Sequence, residues 1–110
     1  SEEQVVAANL DTAFIVQALD QSFNPRRLER FLVMAHEGGT RPVVLLNKAD
    51  LCPEVDEPLA LARAAAGDAP VLLVSAKTRK GLGLIREHLR PRETVCFVGS
   101  SGVGKSSLIN

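Results

Sequence analysis

Four short apolar runs rich in β-branched residues punctuate the chain, and helix-like or turn-rich stretches separate them. The runs cover residues 13–16, 43–46, 71–74 and 95–98. Their apolar character is mostly continuous rather than alternating, which is typical of strands buried on both faces. Strands that alternate with helical segments indicate a parallel α/β sheet. The pattern therefore predicts a layered α/β domain.

Three helices are expected between these strands. Asn24 is a suitable cap for a helix that begins at Pro25 and stops at Gly38 and Gly39. A second helix is predicted from near Pro58 to Gly67, and a third from about Leu82 to Arg90, ended by Pro91. The apolar positions at helical spacing, expected to face the sheet, are Leu28, Phe31, Leu32, Ala35, Leu59, Ala62, Ala66, Leu82, Ile85 and Leu89.

Composition narrows the class of protein. The chain has 110 residues, 13 basic and 13 acidic side chains and no net charge, which describes one globular domain without a general attraction for nucleic acids or membranes. No apolar run approaches the ~20 residues needed to span a bilayer, and nothing resembles a signal peptide, so the default expectation is cytosolic. Cys52 and Cys96 form no CxxC pair and are expected to be buried free thiols.

The segment GSSGVGKS, residues 99–106, fits the phosphate-binding pattern GxxxxGK[ST] without a mismatch. It follows an apolar strand and precedes a helix-like segment, as such a loop requires. Lys105 is predicted to reach the β- and γ-phosphates as the catalytic side chain, and the Ser106 hydroxyl to bind Mg²⁺. The phosphate site is expected to comprise Gly99, Ser100, Ser101, Gly102, Val103, Gly104, Lys105, Ser106 and Ser107.

A second segment, NKAD, follows the run PVVLL, where the carboxyl end of a strand exposes ligand-contacting loops. The two oxygens of Asp50 can accept from the N1–H and N2–H₂ groups that distinguish guanine from adenine. Asn47 could read the O6 and N7 edge of the base or tie the loop to the phosphate loop, while the Lys48 stem covers one ring face. The alternative is an ordinary polar strand-to-helix turn.

A third segment, Ser75-Ala76-Lys77, also follows a predicted strand. Ala76 can offer its backbone N–H to guanine O6, and Lys77 can cover the second face of the ring. Three residues alone mean little. The combination of all three segments, each at the carboxyl end of its own strand, predicts a guanine-nucleotide site.

The chain resembles the P-loop GTPase superfamily, with NKAD and SAK placed before the phosphate loop rather than after it. That order resembles the circularly permuted GTPases, and the segments ALDQSFN, LERFLV, PVVLLNKADL and FVGSSGVGKSSLIN are similar to the RsgA/YjeQ family. The resemblance implies a three-layer permuted P-loop GTPase fold and a GTPase of ribosome biogenesis that acts with the small ribosomal subunit and its rRNA. GTP or GDP and Mg²⁺ are the implied ligands.

The resemblance also implies parts that this sequence does not contain: an upstream OB-fold domain, switch segments with a DxPG motif and a downstream zinc-binding domain. Residues 1–9 are expected to be a lead-in linker, and residues 10–110 a partial GTPase domain truncated before the switch segments. Phosphoryl transfer depends on positioning around the γ-phosphate, so this segment alone is expected to bind nucleotide weakly and to hydrolyse GTP poorly. We expect a monomer that does not associate with membranes.

The order of the strands separates two readings of the permuted motifs. In a permuted domain the last strand lies parallel beside the first, which gives the order 4-1-2-3. In a fragment of two GTPases in tandem these strands would not pair.

Two other functions stay open. The first is a P-loop ATPase or kinase, whose nucleotide binding would be indifferent to mutation of Asp50. The second is a non-catalytic GDP-binding or RNA-docking module.

Two basic clusters are candidates for an RNA-facing surface, with a solvated helix face as the simpler interpretation. The first comprises Arg26, Arg27 and Arg30, and the second comprises Lys77, Arg79, Lys80, Arg86, Arg90 and Arg92. His36 and His88 lie on predicted helices without ligand-spaced neighbours and are interpreted as structural.

Overall fold

The computed structural model describes residues 11–20, 23–51, 54–75, 77–89 and 94–99. Within these residues the strands are β1 (Thr12–Ala18), β2 (Arg41–Asn47), β3 (Val71–Leu73) and β4 (Val95–Val98). The helices are α1 (Pro25–Glu37), α2 (Asp56–Ala66) and α3 (Leu82–Glu87), and a short 3₁₀ turn spans Ala49–Leu51.

The strands form one parallel sheet in the order β3-β2-β1-β4. Thr12 of β1 pairs with Arg41 of β2 on one side and with Val95 of β4 on the other. This is the predicted order 4-1-2-3 read from the opposite edge. The last strand therefore lies beside the first, as the permuted arrangement requires and a tandem fragment does not.

Both faces of the sheet are covered by apolar side chains. On one face, Phe14 and Val16 pack with Ile85 of α3. On the other, Ile15 packs with residues of α1 and α2, including Leu28 and Ala62. The continuous apolar character of β1 and β2 follows, because successive side chains point to opposite faces and each face has its own core.

Stacking of two aromatic rings joins the central strand to β4. The ring centroids of Phe14 and Phe97 lie 4.9 Å apart with an interplanar angle of 21°. Phe14 is fully buried, and Phe97 packs partly buried against the same cluster. This contact reinforces the pairing that defines the permuted order.

Helix α1 begins and ends where the sequence predicts. The Asn24 side chain accepts hydrogen bonds from the backbone N–H groups of Arg26 and Arg27, at 3.0 and 3.1 Å, and Pro25 occupies the first helical position. At the other end, the Gly38 N–H bonds to the Met34 carbonyl. The capping side chain and the glycine mark the two ends of this helix, and burial of Leu28, Leu32 and Ala35 stabilises it between them.

Helix α2 starts at Asp56, two residues before the predicted start near Pro58. A proline is tolerated throughout the first turn of a helix, because the N–H groups there have no intrahelical partner. Asp56 and Glu57 in this turn also stabilise the helix, because their negative charges lie at the positive end of its dipole. Proline thus marks the first turn rather than its first residue.

The predicted third helix is too long at its carboxyl end. Helix α3 ends at Glu87 rather than about Arg90, and Leu89, predicted to face the sheet, is 43% exposed. The guanidinium of Arg41 donates to the His88 carbonyl at 3.0 Å and to the Thr12 hydroxyl at 3.0 Å. This contact satisfies a carbonyl that the end of the helix leaves without an intrahelical donor.

The bounds of three strands and the burial of one cysteine also differ from the predictions in detail. Strands β1 and β2 extend beyond the predicted runs at both ends, whereas Val74 lies just outside β3. Val74 is still fully buried, and its N–H donates to the Leu46 carbonyl at 2.9 Å. Cys96 on β4 is a half-buried free thiol, and burial raises its pKa. Cys52 and the lead-in residues 1–9 lie outside the described residues.

The described residues of the two basic clusters lie mostly at the surface, which fits both a solvated face and an RNA-facing one. Arg26 and Arg30 on α1 are exposed, and Arg27 is half-buried. In the second cluster Lys77, Arg79, Lys80 and Arg86 are exposed, whereas Arg90 and Arg92 lie outside the described residues. His36 is exposed and His88 half-buried.

Candidate functional site

The predicted site residues that the structure describes lie at the edge of the sheet where the strands have their carboxyl ends. Asn47 is the last residue of β2, Gly99 follows β4, and Ser75 lies two residues beyond β3. All strands of the described sheet run parallel, so these ends share one edge. Ligands of open α/β sheets bind at this edge.

A short hydrogen bond joins the NKAD and SAK segments. The Ser75 hydroxyl donates to Oδ1 of Asp50, with the two oxygens 2.6 Å apart. Ser75 is fully buried, whereas Asp50 is exposed. A buried donor thus holds an exposed carboxylate, which orients Asp50 while leaving oxygen lone pairs accessible to a ligand.

The Ser75 hydroxyl is also an acceptor, and this closes the loop that follows β3. The Thr78 N–H donates to the Ser75 hydroxyl at 3.2 Å, and the Ser75 N–H donates to the Lys80 carbonyl at 2.9 Å. Ser75 and Lys80 form an isolated antiparallel bridge. The loop carrying Lys77 is therefore folded back on itself and presents the Lys77 side chain to solvent.

Gly81 allows this loop to pack closely against β3. Its φ of +78° lies in the left-handed region, and a Cβ at this position would overlap the carbonyl oxygen of Leu73. The same Cβ would lie 3.2 Å from Cα of Val74. Only glycine fits both the backbone conformation and the space.

The backbone of Lys48 is also left-handed, with φ +62°. Its ammonium lies 3.2 Å from Oδ2 of Asp20, the residue that follows Leu19 beyond the end of β1. Both side chains are about one-third exposed, at 31% and 33%. The Lys48 side chain therefore extends across the end of β1 and stays partly exposed to solvent.

Asn47 lies deeper than the other residues of its segment. It is 2% exposed, and its carbonyl accepts a hydrogen bond from the Leu19 N–H at 2.9 Å. Asn47 consequently offers little surface to a base.

The phosphate side of the site is described only at its start. Gly99 directly follows Val98, which pairs with Ile15, so the phosphate-loop sequence begins one strand away from β1 and two from β2. Strand spacing makes the lateral distance between the β4 and β2 ends about 10 Å. The predicted site residues outside the described part are Ala76, Ser100, Ser101, Gly102, Val103, Gly104, Lys105, Ser106 and Ser107.

Sequence reasoning missed three residues that shape the site: Asp20, Thr78 and Gly81. Asp20 was visible as a carboxylate just beyond a predicted strand, at the same edge as NKAD. Thr78 acts through its backbone N–H, which has no sequence signature. Gly81 precedes the third helix, where a glycine signal is usually interpreted as a simple turn.

The fold and the arrangement of these segments define a class of protein. A parallel α/β sheet carries NKAD and SAK at adjacent strand ends, and the strand that leads into the phosphate-loop sequence is last in the chain but pairs with the first. This is the domain of a circularly permuted P-loop GTPase.

Comparisons with known proteins agree and identify the family. The family described as RsgA GTPase matches residues 1–110. A relative from Methanosarcina acetivorans is 49% identical over 98% of this chain, and one from Syntrophotalea carbinolica is 46% identical over 97%. Both are named small ribosomal subunit biogenesis GTPase RsgA. The chain belongs to the RsgA GTPase family.

Solved structures show the same fold. YjeQ from Thermotoga maritima superimposes with a TM-score of 0.83 at 31% identity, over 93% of this chain and 37% of that one. YloQ, described as a circularly permuted GTPase, gives a TM-score of 0.72 at 34% identity, over 92% of this chain and 37% of its own. The chain spans only 29% of the length of the two curated relatives.

The described residues contain no helix whose length and apolar character would let it cross a membrane. They also contain no group of three or more His, Cys, Asp or Glu side chains arranged to hold a metal ion.

Proposed function

We propose that this domain binds guanine nucleotides and that Asp50 reads the base. The observation that carries the proposal is the hydrogen bond from buried Ser75 to exposed Asp50. A carboxylate held by one donor keeps acceptor capacity for the N1–H and N2–H₂ groups of guanine. Adenine presents no such pair of donors, so it would leave the carboxylate without its partners and be rejected.

The two lysines are assigned to the faces of the base. Lys48 lies two residues before Asp50, and its stem is directed across the end of β1. Lys77 is exposed on the folded loop after β3. Aliphatic lysine stems cover apolar surface while their charged ends stay in water. The backbone N–H of Ala76 is assigned to guanine O6 on the strength of its place in the sequence.

Asn47 is assigned to holding the loop rather than to reading the base. Its burial leaves little surface for a ligand. Of the two roles open to this side chain, tying the NKAD loop to the phosphate loop agrees better with its burial.

The phosphates are assigned to the segment from Gly99 to Ser107. The support is its sequence pattern and its place directly after β4, at the same edge as Asp50. Backbone N–H groups of this loop would surround the phosphates, Lys105 would neutralise the β- and γ-phosphates, and Ser106 would bind Mg²⁺. A bound magnesium ion supplies further charge stabilisation at the phosphates.

We further propose that the whole protein hydrolyses GTP to GDP and phosphate in maturation of the small ribosomal subunit. The support is the name of the two relatives, which are 46% and 49% identical over nearly the whole of this chain. The partner is then the small subunit and its rRNA, and the site of action is the cytoplasm. The exposed cations after β3 are candidate RNA contacts.

Ligand-dependent thermal stability tests the base site. The midpoint of unfolding is measured with Mg²⁺ and GDP, and then with ADP, for the native protein and for Asp50→Asn. Ligand at ~100 times its dissociation constant stabilises the folded state by about 2.7 kcal/mol. We expect a shift with GDP only, lost in the variant and restored by xanthosine diphosphate, whose base exchanges a donor for an acceptor.

The alternatives give different outcomes in the same experiment. Equal shifts with GDP and ADP, unaffected by Asp50→Asn, would identify a P-loop ATPase or kinase. Salt-dependent RNA binding that is indifferent to nucleotide would favour a docking module.

A further inference from the structure

The end of β1 carries an acidic residue that belongs to none of the nucleotide-binding motifs. Asp20 follows Leu19, whose N–H donates to the Asn47 carbonyl at 2.9 Å. This bond continues the β1–β2 pairing one step beyond the Ala18–Asn47 pair. Leu19 is buried in the core beneath α1, so the backbone leading into Asp20 is anchored. Asp20 and Lys48 therefore stand side by side.

Lys48 is turned toward that carboxylate by its backbone. With φ at +62°, its main chain adopts a conformation that side-chain-bearing residues seldom occupy. The Ala49 N–H donates to the Val74 carbonyl at 3.1 Å, which fixes the other side of the turn. The resulting Nζ–Oδ2 distance is 3.2 Å. The contact is thus a product of ordered backbone on both sides.

We propose that Asp20 is a positioning residue that holds the Lys48 ammonium at the end of β1 and so orients the lysine stem as one wall of the base site. The inference rests on the proposed guanine-nucleotide function. A free lysine side chain samples many rotamers, and ordering it on binding lowers affinity. An ion pair formed before the ligand arrives reduces that penalty.

The expected effect is small because the pair is exposed. Ion pairs between groups that are about one-third exposed are weakened by solvent, and measured values for exposed pairs correspond to factors of about 1.5 to 5 in an equilibrium constant. We therefore expect Asp20→Asn to raise the dissociation constant of GDP about two- to fivefold. High salt should shrink the difference, because it screens exposed charges.

A double-mutant cycle provides the test. The dissociation constant of GDP with Mg²⁺ is measured for wild type, Asp20→Asn, Lys48→Met and the double variant. Methionine keeps an apolar stem of similar length but removes the ammonium. If Asp20 acts through Lys48, Asp20→Asn weakens binding in the wild-type background and has no further effect in Lys48→Met. Asp20→Glu should restore most of the affinity.

Asp68→Asn is the matched control. Asp68 is exposed between α2 and β3, at the amino end of β3 and so away from the carboxyl ends that form the site. Its replacement by Asn changes the net charge equally without touching the site. This variant should bind GDP like wild type. Far-UV circular dichroism of all variants checks that the fold is retained.

Three outcomes would overturn the proposal. If Asp20→Asn binds GDP as tightly as wild type or more tightly, Asp20 does not position Lys48, and the proposed guanine site stands. If Asp20→Asn weakens binding equally in the Lys48→Met background, Asp20 acts on the ligand without Lys48. If wild type binds no guanine nucleotide, the proposed function fails together with this inference.

Discussion

Removal of the Ser75 hydroxyl is the most direct perturbation of the base site. Ser75→Ala deletes the donor to Asp50 and the acceptor for the Thr78 N–H while leaving the Cβ in its buried position. The alanine fits, because only one atom is lost. The variant therefore isolates a hydrogen-bonding effect from a packing effect.

Two magnitudes follow from the structure. A hydrogen bond to a charged group contributes about 1.5–3 kcal/mol to stability, and the exposure of Asp50 places this bond near the lower end, because water replaces part of what is lost. With the Thr78 N–H also losing its acceptor, we expect the free energy of unfolding to fall by about 2 kcal/mol.

The effect on nucleotide binding is separate from the effect on stability. Without Ser75 the Asp50 carboxylate must be ordered when the base binds, which costs about 0.5–1 kcal/mol for a short side chain. The dissociation constant of GDP should then rise about two- to fivefold.

Urea denaturation gives the free energy of unfolding. Fluorescence titration with a labelled GDP, without urea and at a temperature well below the thermal midpoint, gives the affinity. Thr94→Ala is the control, since Thr94 is exposed at the opposite end of β4 and its hydroxyl lies far from the site. Its effect on stability should stay within about 0.5 kcal/mol. The reasoning is refuted if Ser75→Ala loses stability but binds GDP as tightly as wild type.

Two further predictions concern the backbone and the free thiol. Gly81→Ala should lower the free energy of unfolding by at least about 2 kcal/mol, because of its left-handed φ and the overlap with Leu73. Gly83→Ala, in the open on α3, should stabilise by up to about 1 kcal/mol, and urea denaturation of both variants tests the contrast. Burial raises the pKa of Cys96, so the folded state disfavours the thiolate. Stability should be unaffected below the ordinary thiol pKa and fall as pH rises through the raised value. Alkylation of the Cys96 peptide, followed by mass spectrometry against pH, should lag behind that of the urea-unfolded chain; an equal or faster rate would contradict the prediction.

The topology was predictable because the order of the motifs constrains the strands. With NKAD and SAK before the phosphate loop, the motif order resembles that of a permuted GTPase domain, in which the last strand lies beside the first, as β4 lies beside β1. The bounds of helix α1 were equally predictable, since Asn24, Pro25 and Gly38 are local signals that act on the adjacent backbone. Both depend on short-range or pattern information that a sequence contains directly.

The contacts that organise the site were not predictable. Asp50 and Ser75 are 25 residues apart, and Asp20 and Lys48 are 28 apart, so each pair meets only through the sheet. The predicted carboxyl end of α3 was wrong for a similar reason. Helical spacing extended to Leu89, but the Arg41 guanidinium, supplied by β2, takes the His88 carbonyl at the end of the helix. Such tertiary partners leave no periodic signal.

The pairing of β4 with β1 also bears on how the domain forms during synthesis. Thr12 and its β2 partner Arg41 are 29 residues apart, whereas Thr12 and its β4 partner Val95 are 83 apart. Closing the longer loop costs about 1 kcal/mol more in chain entropy. As the chain leaves the ribosome, β1, β2 and β3 can pair first, and Phe14 stays without its stacking partner until Phe97 has emerged. The half of the domain assigned to reading the base can therefore assemble before the strand that leads into the phosphate loop is available.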